Sequence, residues 1–185
     1  MMLSFLQAEL QSARFRAPLM AAIERHGATT ELIERPDLDD PAENALRSAV
    51  LGEYRGWEKK EEIFDGWPSD VTWFRIELTS DEIGLVRYIS YDYWDELSDN
   101  THLVKVGADN IRAGKEVFAV SNDRFWAIAQ LVDDGKTFAP LIVRSNSLAG
   151  PYELVEGHLR ATAYALARRS PEKIEVILAV APEFA

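Results

Sequence analysis

Between Pro140 and Val180 the apolar residues switch from strand spacing to helix spacing and back, an order that belongs to α/β folds. Pro140-Leu141-Ile142-Val143-Arg144 reads as a strand, Ser145 to Pro151 as a turn, and Tyr152-Glu153-Leu154-Val155-Glu156 as a second strand. Gly157 to Arg169 reads as a helix, and Lys173 to Val180 as a final strand apolar enough to be buried on both faces. Further back, Val71 to Leu78 has the β-branched and aromatic content of a strand. Thr79-Ser80-Asp81-Glu82 after it matches a capping box, predicting a helix that runs through Leu97. Two more helices are expected, one around Leu103 to Ala113 and one capped by Ser121 or Asn122 that ends at Asp133-Asp134-Gly135.

The N-terminal part reads differently. Phe5, Leu6, Leu10, Phe15, Leu19, Met20 and Ile23 recur at helical spacing, which predicts one long helix with a break near Pro18 and a stop at Gly27. Asp40 as N-cap and Pro41 at the first helical position start a second helix that reaches about Tyr54. Gly52 to Asp70, with its glycines, Pro68 and charged residues, reads as an ordered connection. The expected organisation is therefore an N-terminal helical extension with its connection, residues 1–70, followed by an α/β domain, residues 71–185.

Composition narrows the function classes. Apolar residues make up 47% and charged residues 28%, the balance of an ordered globular chain. No apolar run approaches the roughly 18 to 20 residues that span a bilayer, and Glu9, Arg14 and Arg16 interrupt the start, so neither a signal peptide nor a membrane partner is expected. Cysteine is absent, which excludes thiol chemistry and fits a reducing, cytoplasmic setting. The formal charge of −11 repels phosphodiester backbones, so nucleic acid is not an expected partner. His26, His102 and His158 are scattered without metal-ligand spacing, and no metal site is assigned.

The residues that suggest chemistry are Glu156-Gly157-His158-Leu159-Arg160. A strand ends and a helix begins there, where open α/β sheets place their ligands. The first amides of a helix lack intrahelical partners and the helix dipole is positive at that end, so an anion is favoured. Gly157 lets a phosphate approach the main chain, and Arg160 offers a bidentate donor; these are the candidate ligand-binding residues. His158 can exchange a proton near neutral pH and Glu156 adds a carboxylate at the strand tip; these are the candidate catalytic residues. Equally, His158 and Arg160 could cap the helix or pair with Glu153, Glu156 or Glu175.

Phe138 to Val143 followed by Tyr152 to Ala163, with its acid-Gly-His-x-Arg run and alanine-rich helix, resembles the core of the ParB/sulfiredoxin-like superfamily over about residues 124–180. The resemblance implies an α/β fold with a small mixed sheet, flanking helices and a nucleotide-phosphate pocket at this helix N-terminus. Activities in that superfamily include CTP binding and hydrolysis, ATP-dependent sulfinic acid reduction, phosphorylation of free serine and nuclease action. Sulfinic acid reduction needs a cysteine beside the histidine, which this chain lacks. His158 and Leu159 stand where the chromosome-segregation members have a Glu-Arg pair, and with Ala185 as the last residue a DNA clamp is not expected. A phosphotransferase or nucleotide hydrolase is what survives. The kinases of the superfamily imply an additional acid, for which Glu77, Asp81 and Glu82 are available.

Other features have simpler readings. Tyr88, Tyr91, Tyr93 and Trp94 could stack on a base, but Leu85, Ile89, Tyr93 and Leu97 recur as a core-facing helical stripe would. Gly52 to Trp57 could be a binding loop, with Arg55 reaching a phosphate, or a packed connection. Asp92, Asp95, Glu96 and Asp99 read as a solvated acidic face, which could hold Mg²⁺ were a nucleotide bound. Two functions follow: a nucleotide- or phosphate-binding protein with enzymatic potential, or a non-catalytic module whose N-terminal helices serve a protein partner or self-association.

Overall fold

In the computed structural model residues 2–12, 15–55, 67–68 and 70–184 are described. The chain divides into two compact units, Met1–Trp67 and Pro68–Ala185. In the first, the apolar stripe forms two helices rather than one, α1 (Met2–Gln11) and α2 (Arg16–Arg25). The chain breaks at Ser12, whose carbonyl accepts from the amides of Phe15 and Arg16. Pro18 falls in the first turn of α2, where a missing N–H costs no helical bond. Gly27 ends the helix as expected, with φ of 66°. After a short helix α3 (Glu31–Glu34) comes α4 (Pro41–Arg55), capped by Asp40, whose Oδ1 accepts from the Ala42 amide at 2.8 Å.

Leu6, Leu10, Leu19, Ile23, Ile33 and Leu51 meet in the core of this unit. The buried Arg47 guanidinium crosses the side of it, donating from Nη1 to Leu32 O (3.0 Å) and Glu43 Oε2 (2.8 Å), and from Nη2 to Asp37 O (2.6 Å) and Asn44 Oδ1 (2.9 Å). That fork holds the 32–37 segment against α4. Most of the expected connection, residues 56–66 and 69, lies outside the described residues, as does the side chain of Arg55.

The second unit is a mixed α/β structure. Its strands are β1 (Thr72–Leu78), β2 (Leu141–Ser145), β3 (Glu153–Glu156) and β4 (Ile174–Val180), in the sheet order β1-β4-β2-β3. β4 runs antiparallel to β1 and parallel to β2, and β2 and β3 form an antiparallel hairpin. Returning a strand parallel to β2 requires a crossover, which the helix α9 (His158–Leu166) supplies. The remaining helices are α5 (Ser80–Leu85), α6 (Asp92–Leu97), α7 (Val104–Arg112) and α8 (Asp123–Asp133). Leu78, Leu141, Val143, Leu154, Val176 and Leu178 on the sheet pack with Ile83, Val104, Val132, Ala161 and Tyr164 from the helices. Among the described residues no helix is long and apolar enough to cross a membrane.

One expected helix is corrected. The capping box forms, with Thr79 Oγ1 accepting from the Glu82 amide and the Glu82 carboxylate from the Thr79 amide, yet the helix stops at Leu85 instead of continuing through Leu97. Val86 turns extended, and Arg87 joins the outer edge of β3: its amide donates to Tyr152 O and its carbonyl accepts from the Leu154 amide, both at 2.8 Å. Satisfying a sheet edge outweighs continuing a helix whose polar groups water could satisfy. The stripe of Leu85, Ile89, Tyr93 and Leu97 is consequently not one face: Leu85 is exposed and Tyr88 is buried in its place.

Candidate functional site

The β3–α9 junction turns on Gly157, at φ 100° and ψ 21°, in the left-handed region. A Cβ there would lie 2.6 Å from Leu141 Cδ2 and 3.1 Å from Arg160 Nη2, so both the backbone and the space demand glycine. The helix begins with Ala161 N donating to Gly157 O at 2.8 Å. No side chain caps this end and no acid stands in its first turn, which leaves the amides of His158, Leu159 and Arg160 without helical acceptors.

His158 is the first residue of α9, and its ring joins an aromatic stack. Trp94 lies 5.1 Å from it at 18°, Tyr88 6.2 Å from it at 13°, and Tyr88 and Trp94 are 4.7 Å apart at 18°. Trp94 is held edge-on by Tyr93 and Phe125. Tyr88 is fixed by a relay: Thr162 Oγ1 gives its one proton to His158 O at 2.8 Å, so the Tyr88 hydroxyl is the donor in its 2.7 Å bond to Thr162. Burial pushes the Tyr88 phenol up, which keeps it a donor. Its ring lies against α7 at Gly107, where a Cβ would meet Tyr88 Oη at 2.7 Å.

His158 as a whole is half-buried, and its Nε2 is sealed and has no hydrogen-bond partner. Burial, and then the positive charge of Arg160, push the imidazole down to about 4. His158 is therefore neutral at physiological pH, with a nitrogen able to accept or donate.

Arg160 is less available than its residue type suggests. Its Nη1 donates to the carbonyls of Ala139 and Pro140, and its Nη2 lies 3.5 Å from Glu156 Oε1. The guanidinium thus ties the chain entering β2 to the first turns of α9. Glu156 is the carboxylate that Arg160 takes; Glu153 binds Arg144 and Glu175 binds Arg75. The imidazole makes no hydrogen bond to Glu156. The turn therefore brings all four expected residues together, with His158 facing aromatics and Glu156 facing Arg160.

Of the acids available for a second catalytic role, Glu82 is consumed by the cap and Glu77 pairs with Lys173 at 2.7 Å. Of the acids on and just after α6, Glu96 and Asp99 pair with Lys115, and Asp95 lies 3.4 Å from Nδ1 of His102. Among the described residues no group of three or more His, Cys, Asp or Glu gathers as a metal site. A groove of about 800 Å³ in the helical unit, lined by Arg16, Met20, Ile23 and Thr30 among others, contains no residue of the turn.

Sequence reasoning missed Trp94, Tyr88 and Thr162 as neighbours of His158. Thr162 carried a signal: a polar residue on the buried face of an alanine-rich helix needs a partner, and Tyr88 is that partner. No family model matches the chain, and neither a curated protein nor a solved structure matches it.

Proposed function

We propose that the Gly157 turn binds a small phosphate-bearing ligand, a nucleotide in the first instance, and that neutral His158 exchanges a proton with it. The observation that carries this reading is the buried, unpartnered Nε2 of His158 beside an uncapped helix N-terminus. An orphaned buried nitrogen costs about 1–3 kcal/mol, and uncapped amides await an acceptor. A phosphate oxygen would satisfy the amides, and a ligand hydroxyl would satisfy Nε2 once the ring turns, since that nitrogen is sealed in the stack. The likeness of residues 124–180 to ParB/sulfiredoxin-like sequences favours a nucleotide over other anions, with Mg²⁺ arriving on its phosphates. Phosphoryl transfer or nucleotide hydrolysis is the chemistry a neutral histidine here would serve.

A second reading, a non-catalytic interaction module, is favoured by one observation: main-chain carbonyls and Glu156 already engage both Nη atoms of Arg160. Thermal shift of the full chain with ATP, ADP, CTP, GTP and inorganic phosphate, each with and without Mg²⁺, separates the two. A ligand at one hundred times its dissociation constant adds about 2.7 kcal/mol to stability. His158→Phe keeps the ring stack and removes the nitrogen, so it should fold and lose the ligand-induced shift. Absence of any shift up to millimolar nucleotide, or an equal shift in His158→Phe, rejects the proposed site.

A further inference from the structure

Arg160 is held by two main-chain carbonyls and Glu156, so a phosphate at the Gly157 turn finds no free arginine on α9. The neighbouring helix supplies one. Asp133, the last residue of α8, accepts through Oδ1 from the amides of Arg168 (2.8 Å) and Arg169 (2.7 Å), just past the end of α9. Phe125 and Ala129 of α8 meet Ala163 and Leu166 of α9 in one core, so the two helices run side by side and parallel. With 11 and 9 residues and a rise of about 1.5 Å per residue, their N-termini come level to within about one turn. At that end Arg124, the second residue of α8, is exposed. Its guanidinium carbon stands 5.3 Å from the centre of the Tyr93 ring and 5.0 Å from that of Phe125, and among the described residues it has neither a hydrogen bond nor an ion pair. Those two rings hold Trp94 edge-on, and Trp94 stacks on His158. The same cluster contains two buried polar atoms without a partner, His158 Nε2 and Tyr93 Oη, both groups that the oxygens and hydroxyls of a ligand can satisfy.

We infer that Arg124 binds a second anionic group of the ligand at the Gly157 turn, which makes that ligand a nucleoside diphosphate or triphosphate and not a monophosphate. This rests on the phosphate-binding reading of the turn. One phosphate takes the first amides of α9, and the next, one bridging oxygen away, takes the Arg124 fork. Packed helices have axes about 8–10 Å apart, a gap that an extended arginine side chain and a diphosphate close together. A guanidinium resting on ring faces at an exposed position is held weakly and keeps its N–H donors for an oxyanion, so it can move to the phosphate without breaking a hydrogen bond.

The test is titration calorimetry of the full chain with ADP, AMP, pyrophosphate and orthophosphate, for the parent, Arg124→Gln, Arg124→Lys and His158→Phe. ADP should bind the parent about tenfold or more tighter than AMP, and pyrophosphate than orthophosphate, the effect of one charge-assisted contact. Arg124→Gln should erase that advantage and leave AMP binding unchanged, while Arg124→Lys restores part of it. Circular dichroism in the far and near ultraviolet checks that these exposed substitutions keep the fold and the ring stack. AMP bound as tightly as ADP, ADP bound by Arg124→Gln as by the parent, or an equal loss of AMP and ADP in that variant overturns the inference. If His158→Phe loses both nucleotides while Arg124→Gln changes nothing, the inference falls and the proposed site stands. If the parent binds none of the four, both fall.

Discussion

Replacing His158 by Phe should remove a defined component of the pH dependence of stability between pH 4 and 7. The native imidazole titrates near 4, against about 6.5 in an unfolded chain, because burial and then Arg160 disfavour its charged form. A depressed histidine value means that the unfolded state binds the extra proton. The contribution is therefore complete above pH 6.5, falls as the pH drops from 6.5 towards 4, and is flat below that. Linkage gives a loss of about 1.4 kcal/mol at pH 5.5 and about 2.5 kcal/mol at pH 4.5 relative to pH 8. Carboxylates titrate in the same range, so the quantity to measure is the difference in urea unfolding free energy between parent and His158→Phe at each pH. It should shift against the parent by those amounts. At pH 7.5 the variant should be as stable as the parent or more so, because a carbon edge replaces a nitrogen without a partner. The imidazole Cε1–H resonance, assigned by its loss in the variant, gives the native midpoint without assuming two-state unfolding. A midpoint near 6.5, or stability curves that stay parallel from pH 8 to pH 4.5, would refute the burial of this ring.

Three other substitutions probe the framework. Gly157→Ala forces a left-handed alanine into Leu141 and should cost about 2–4 kcal/mol in chemical denaturation, with near-parent stability counting against the described turn. Gly107→Ala gains helix propensity but drives Tyr88 off α7, for a net loss of about 1–2 kcal/mol and a change in near-ultraviolet circular dichroism from the Tyr88–Trp94 stack; a stabilised protein would contradict that packing. Arg47→Ala leaves the carbonyls of Leu32 and Asp37 unpaired and should cost about 3 kcal/mol or more, read as increased proteolysis of the helical unit.

The elements from Pro140 to Val180 were legible because period, turn residues and length agree there: the structure has β2, β3, α9 and β4 within a few residues of the expected positions. The Thr79–Glu82 cap was legible for the same reason, since both of its bonds are local. What failed depended on partners distant in sequence. Nothing local reveals that Arg87 covers the edge of β3, and without that bond the helix from Thr79 has no reason to stop. The N-terminal stripe is periodic across its break, so its period cannot show two helices. At the turn, residue types and spacing placed Glu156, Gly157, His158 and Arg160 together. The neighbours that set their chemistry, Trp94 above the imidazole and the carbonyls of Ala139 and Pro140 around the guanidinium, come from other elements.

The Arg160 guanidinium disfavours the charged form of His158, and that coupling can be separated from the scaffold role of Arg160. Polar groups around the site are satisfied: Tyr88 with Thr162, Thr162 with His158 O, and Arg160 with two carbonyls and Glu156. The exceptions there, among the described residues, are Nε2 of His158 and the Tyr93 hydroxyl, both buried without a partner, and the first-turn amides; local violations in an otherwise consistent structure concentrate at sites of function. Arg160→Gln removes the positive charge while keeping donors for the Ala139 and Pro140 carbonyls. The His158 midpoint should rise, because a repelling cation is gone, yet remain below 6.5, because burial is the larger cause. A midpoint that returns fully to 6.5 would mean that Arg160, not burial, keeps the imidazole neutral; no change at all would place the guanidinium charge too far away to matter. With the midpoint raised only in part, nucleotide binding by Arg160→Gln then shows which group captures the ligand. Binding retained assigns ligand capture to the helix amides and His158, and binding lost with the fold intact assigns it to the guanidinium.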